Sequence, residues 1–144
     1  PVRLAADESA HSEEDVRRRI DMGYRAIALK PIAKTISMTF DMISVCAQRN
    51  IPCFCADLTV NAWMVDLNKN FAARLAPLPG LRVGLLESNG AQYYSRWEQM
   101  IEALPNPEGS WVRPKDGLYR LDNSFYRESG GIFGKSRFYE SLFE

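Results

Sequence analysis

Four apolar runs in this chain end abruptly in residues that can do chemistry. "VRLAA" stops at Asp7, Glu8 and Ser9. "AIALK" ends in Lys30, with Lys34 on the loop beyond. "PCFCA" stops at Asp57, and "RVGLLE" ends in Glu87, followed by Ser88 and Asn89. Carboxylate oxygens suit a hard divalent cation such as Mg2+. A lysine beside a bound cation loses part of its proton affinity and can serve as a base near neutral pH. A carboxylate on the far side can act as an acid or a hydrogen-bond partner. Such a set suits removal of a proton next to a substrate carboxylate, with a metal stabilising the enediolate. Plainer roles exist for the same residues: Asp7 and Glu8 as turn residues, Lys30 as a solvated strand end, Asp57 as the start of a helix. Ser12 is available to cap the helix that follows, however, which leaves Asp7 and Glu8 spare.

These residues need elements to position them. Between the apolar runs lie segments with helical spacing. Residues 13 to 22 carry Val16 and Ile20 four apart, behind Ser12 and the acidic Glu13, Glu14 and Asp15. Residues 36 to 49 carry a stripe of Ile36, Phe40, Ile43 and Ala47, and residues 61 to 75 carry Trp63 or Met64, then Leu67, Phe71 and Leu75. The strands start near residues 2, 26, 52 and 83, and a further periodic segment covers 91 to 104. Strand, helix, strand repeated in this way predicts a parallel α/β sheet.

Ligands in parallel α/β folds bind at the carboxyl ends of the strands, where the charged residues fall. Alternation places Arg3 and Ala5 on the face of Asp7, Ala26 and Ala28 on that of Lys30, and Cys53 and Cys55 on that of Asp57. The larger Val2, Leu4, Ile27, Leu29 and Phe54 point the other way. Small residues beside the site and large ones opposite favour a closed barrel over an open, doubly wound sheet.

The 144 residues are 46% hydrophobic, enough for a core. Eighteen basic residues balance eighteen acidic ones with no basic run, which argues against nucleic acid or a membrane surface as the main partner. No stretch approaches the roughly 20 apolar residues that span a bilayer, and no signal-peptide pattern is present. Three cysteines, Cys46, Cys53 and Cys55, fit a reducing cytoplasm. Eleven of the sixteen aromatics follow Gly90, so residues 1–104 read as part of a barrel domain. Residues 105–144 read as an irregular, aromatic-rich segment with short strands, packing on the barrel or on a capping domain.

"AADESAHSEEDVRRRIDMGYRAIALKPIAKT" resembles the mandelate racemase and muconate lactonizing branch of the enolase superfamily. There an Asp-Glu-Ser strand end is followed by a helix, a glycine and a strand ending in lysine. "RVGLLESNG" is similar to the last barrel strand of that family, and "PKDGLYRLDNSFYRESGGIFG" to its C-terminal segment. The resemblance implies a modified TIM barrel, (β/α)7β, of which this chain would supply the C-terminal half: four parallel strands with their helices. It implies Asp7 as a Mg2+ ligand with Glu8 and Ser9 behind it, Lys30 as the catalytic base, and Glu87 as the last-strand carboxylate. Asp57 falls where some relatives place an acid that orients a histidine base, and Lys34, Ser88 and Asn89 would contact substrate. The sole histidine is His11, so a two-base racemase with a His-Asp dyad is not expected.

The implied activity is that of an isomerase or lyase acting on a small carboxylate: a cycloisomerase, epimerase or dehydratase. The chain begins on Pro1, at what the resemblance makes the fifth of eight strands. On that reading the isolated chain is inactive. It needs the N-terminal half of the barrel and the capping domain, or a companion fragment, and the intact protein is a homo-oligomer. Two other readings share the strand-end lysine or dispense with it: a class I aldolase-like Schiff-base barrel, and a non-catalytic binding barrel.

Overall fold

The computed structural model describes residues 3–56, 58–135 and 140–141. Four strands, β1 (Ala5–Ala6), β2 (Ala26–Leu29), β3 (Cys53–Ala56) and β4 (Leu86–Glu87), form one parallel sheet in the order β1-β2-β3-β4. Sequential order without a switch point is barrel winding; a doubly wound sheet reverses its order partway. The helices α1 (Glu13–Asp21), α2 (Ile36–Gln48) and α3 (Ala62–Ala72) connect successive strands. The fold is therefore a partial TIM-like barrel, as the alternating texture of the chain predicts.

Each connecting helix starts on a side-chain cap just past a strand end. Ser12 accepts from the Asp15 N–H, Thr35 from Met38 and Asn61 from Met64, at 3.2, 3.2 and 3.1 Å. These caps satisfy otherwise orphaned N–H groups and fix where each strand-end loop stops. Gly23 closes α1 at φ +103°, a left-handed conformation that a side chain would strain. Val16 and Ile20 from α1, with Met42, Val45 and Cys46 from α2, pack on Ala6, Ile27, Leu29 and Cys53 of the sheet. That packing is the main core.

The structure corrects several expectations. The buried face of α2 is Thr39, Met42, Val45 and Cys46; Ile36 and Phe40 of the expected stripe are 50% and 58% exposed. Helix α2 is apolar on more than one face, so a three-four spacing fits either, and the fold decides between them. On α3 the buried set is Ala62, Val65, Asp66, Asn68, Lys69 and Ala72, and the expected aromatic stripe is only half-buried. The outer strands β1 and β4 are two residues each, because a sheet edge has a ladder partner on one side only.

The segment at 91 to 104 breaks into α4 (Gly90–Tyr93) and α5 (Trp97–Glu102), with Tyr94 extended between them and its hydroxyl on the Thr59 carbonyl at 3.0 Å. The short strands expected after Pro105 are absent among the described residues. That stretch holds α6 (Asn123–Glu128), a 3-10 turn at Ser129–Gly131, and a single antiparallel bridge, Lys115 to Leu118, around an Asp-Gly turn.

This segment packs on α3. Trp111 meets Phe125 edge-on with ring centroids 5.5 Å apart, in a cluster with Ala62, Ile101, Leu104 and Val112. The Trp63 indole donates to the Ile132 carbonyl at 3.2 Å. Beneath it lies a buried ion pair, Lys69 Nζ to Asp66 Oδ1 at 2.7 Å, with the Lys69 ammonium over the Tyr119 ring. A Cβ on Gly130 would press on both Phe125 and Asp66, so only glycine allows the approach.

Candidate active site

Register decides which strand-end residues share a face. Ala5 lies level with Ala26, Ala28 with Phe54, and Ala56 with Glu87. Lys30 follows Leu29, which is level with Cys55, so Lys30, Ala56 and Glu87 form one row at the carboxyl end. Cys53 and Cys55 pair with Ile27 and Leu29 on the helix-covered face, not beside the site. The assignment of these cysteines to the site face is therefore corrected: the count of alternation in β3 starts one residue away from that in β2. Phe54 takes the position expected for a small residue, and Ala5, Ala26, Ala28 and Ala56 fill the rest of the site face. Neighbouring strands lie about 4.8 Å apart, so the Lys30 and Glu87 backbones stand about 10 Å apart across Ala56. A small molecule fits over Ala56 with a lysine at one flank and a carboxylate at the other.

Lys30 is 7% exposed, and its Nζ lies 2.9 Å from Asp7 Oδ1 and against Glu8 Oε1. Burial alone would push its proton affinity down; the hydrogen bond to Glu8 and the charges of Asp7 and Glu8 outweigh that and hold it above the ordinary lysine value. The ammonium is thus stored protonated between a half-buried carboxylate, Asp7, and an exposed one, Glu8. Asp7 Oδ1 is buried without an aligned hydrogen bond, so the Lys30 contact is one of charge. The Asp-Glu-Ser stretch is a tight turn, with the Ala10 N–H on the Asp7 carbonyl at 3.1 Å, and Arg19 of α1 donates to the Ser9 carbonyl at 3.2 Å. Helix α1 thereby fixes the turn that aims both carboxylates at Lys30.

Lys34 is half-buried. Burial, followed by the like charge of Lys30, pushes its proton affinity down. It makes no ion pair among the described residues. Glu87 is exposed, and Ser88 and Asn89 lead from it into α4. Asp57 lies outside the described residues. The structure thus brings Asp7, Glu8 and Lys30 into contact, with Lys34 within reach of their field, and sets Glu87 across the row.

Asp7 and Glu8 are hard oxygen donors of the kind Mg2+ takes, but no group of three metal-capable side chains occurs among the described residues. The two carboxylates fit such an ion in kind and do not complete its shell. Sequence reasoning missed the buried Asp66–Lys69 pair, because i,i+3 opposite charges read as an exposed helix face. It also missed the groove formed by the loop after β2, whose apolar members follow no period.

One likeness follows from this architecture. A mandelate racemase/muconate lactonizing protein from Herpetosiphon aurantiacus superposes with a TM-score of 0.53 at 18% identity, over 65% of this chain and 25% of that one. The chain has the fold of part of such a barrel. It spans about a quarter of that protein's length. At this identity the likeness is one of fold. No protein-family model and no curated protein matches the sequence.

Proposed function

We propose that this chain contributes the lysine side of a proton-abstracting site of the enolase type, acting on a small carboxylic acid. The observation that carries this reading is Lys30: a buried ammonium at a strand end, held by Asp7 and Glu8 and level with Glu87. The substrate would sit over Ala56 with its α-carbon toward Lys30 Nζ; once Asp7 and Glu8 swing off Nζ and the ammonium gives its proton to water, the neutral amine takes the α-proton. Glu87, on the opposite flank, hydrogen-bonds substrate or returns a proton to the product. Asp7 would hold Mg2+ together with ligands from outside the described residues, and the ion would supply stabilisation of negative charge on the substrate carboxylate. Glu8 and Ser9 hold Asp7 in place. Lys34, Ser88 and Asn89 contact the substrate outside the reacting atoms. The product is that of a cycloisomerase, epimerase or dehydratase.

The free edges of β1 and β4 call for further strands, from the rest of a barrel or a companion fragment, and the intact assembly is a homo-oligomer on this reading. Among the described residues no helix is long and apolar enough to cross a membrane. Three free cysteines support a reducing, cytoplasmic setting. The Schiff-base alternative needs a neutral Lys30 too, and it leaves the two carboxylates beside that lysine without a task.

The test is solvent-deuterium exchange at the α-carbon of small carboxylic acids with Mg2+. Lys30→Ala lowers the exchange by about 10²- to 10⁴-fold if Lys30 is the base. Borohydride trapping of a carbonyl substrate on Lys30 would overturn the reading in favour of the aldolase type.

A further inference from the structure

An open groove of about 570 Å³ lies beside the Lys30 cluster, lined by His11, Ile32, Ala33, Lys34, Thr35 and Met38. Its volume is in the range of small-molecule sites. Its two halves differ in chemistry. Ile32, Ala33 and Met38 give an apolar wall, and Met38 is 39% exposed although nothing in the fold requires a large apolar side chain there. His11 and Lys34 give a basic side, and neither side chain has a hydrogen-bond or ion-pair partner among the described residues. The hydroxyl of Thr35 is already committed to capping α2. The acidic groups nearest Lys34 are Asp7, Glu8 and Asp15; the first two are spent on Lys30, and Asp15 is engaged with Ser12. A solvated surface gains nothing from setting an unpaired lysine, a histidine and an exposed methionine around one concavity. A ligand with an acid group on an apolar body satisfies all three.

We propose that this groove binds small amphipathic anions, an acid group on an arylalkyl or medium-chain acyl body, with Lys34 and His11 on the acid and Ile32, Ala33 and Met38 on the body. As the identity of the substrate class this rests on the proton-abstraction reading; as a binding site it stands apart from it. Met38 and Ile32 set which apolar substituents are accepted.

The experiment is a binding titration on the 144-residue chain, followed by the ring protons of His11, its sole histidine, and by the methyl of Met38. Three probes separate the contributions: 4-phenylbutyrate, 4-phenylbutanol and inorganic phosphate. The expected result is that 4-phenylbutyrate moves both signals saturably. The alcohol and phosphate bind at least tenfold more weakly. Lys34→Met weakens 4-phenylbutyrate at least tenfold without changing the far-ultraviolet circular dichroism. Equal binding of phosphate would make the groove a simple charge site, and equal binding of the alcohol a purely apolar one; either overturns the proposal. So does the absence of any saturable shift in the unsubstituted protein, whatever the fate of the variant. None of these readouts needs turnover, so a failed groove and a failed proton-abstraction site are told apart.

Discussion

Lys30 and Lys69 are both buried lysines with acidic partners, and their surroundings set them to different tasks. Lys30 has one exposed partner, Glu8, and one half-buried partner, Asp7, so at least the Glu8 contact can be exchanged for a substrate. Lys69 is 4% exposed against an equally buried Asp66, sealed by Tyr119 and Trp111 of the C-terminal segment. Burial pushes Asp66 up and Lys69 down, each toward its neutral form. Removing one member leaves the other buried and uncompensated, which costs about 3–5 kcal/mol. Asp66→Ala therefore lowers the urea midpoint by a corresponding amount. The double change Asp66→Leu with Lys69→Met recovers most of the loss, because no lone charge remains. Neither substitution touches the Lys30 row.

Among the elements, the connecting helices were legible from the sequence because caps and periodicity act locally. Ser12 with its acidic first turn, and Val16 with Ile20, mark α1 without reference to the rest of the fold. Which face of α2 turns inward was not legible, since Ile36, Phe40, Met42 and Val45 offer more than one apolar stripe and only the sheet chooses. Alternation in β3 was misread for a related reason: face is relative between strands, and register comes from pairing. Helix α6 was missed because its apolar content is small and its start depends on one cap. Asp122 accepts the Phe125 N–H at 3.0 Å and the Ser110 hydroxyl at 2.9 Å, which hold its carboxyl below the ordinary aspartate value. The folded form thus binds that proton less readily than the unfolded chain. The contribution of Asp122 is present above the ordinary aspartate range and is lost as the pH falls through the lowered value. Hydrogen-exchange protection of α6 amides should fall over that acidic window. Asp122→Asn, which keeps a capping oxygen without the titration, should lose less of it.

At the scale of the molecule, both edges of the sheet are unpaired among the described residues, and both are flanked by exposed apolar side chains: Leu4 at 59% beside β1, and Val83 at 51% before β4. Parallel strands are ordinarily buried on both sides, and bare edges pair with whatever strand they meet. The barrel portion was readable from the chain because four strand ends carried charge after apolar runs. What pairs with the edges of the sheet was not, because a strand edge does not name its partner. Sedimentation velocity on the chain should show species heavier than 16.4 kDa, growing with concentration, and Leu4→Glu should reduce them. A sample that stays monomeric at every concentration would mean that the edges are blunted without a partner.

The proposed chemistry turns on Lys30 as the proton-transferring group. Its most direct test is Mg2+-dependent deuterium exchange at the α-carbon of small carboxylic acids, measured on the native protein beside its Lys30→Ala form. The expected result is exchange in the native protein and a loss of about 10²- to 10⁴-fold in the variant. Exchange that is equally fast in both, or no exchange with any acid of the panel, would contradict it.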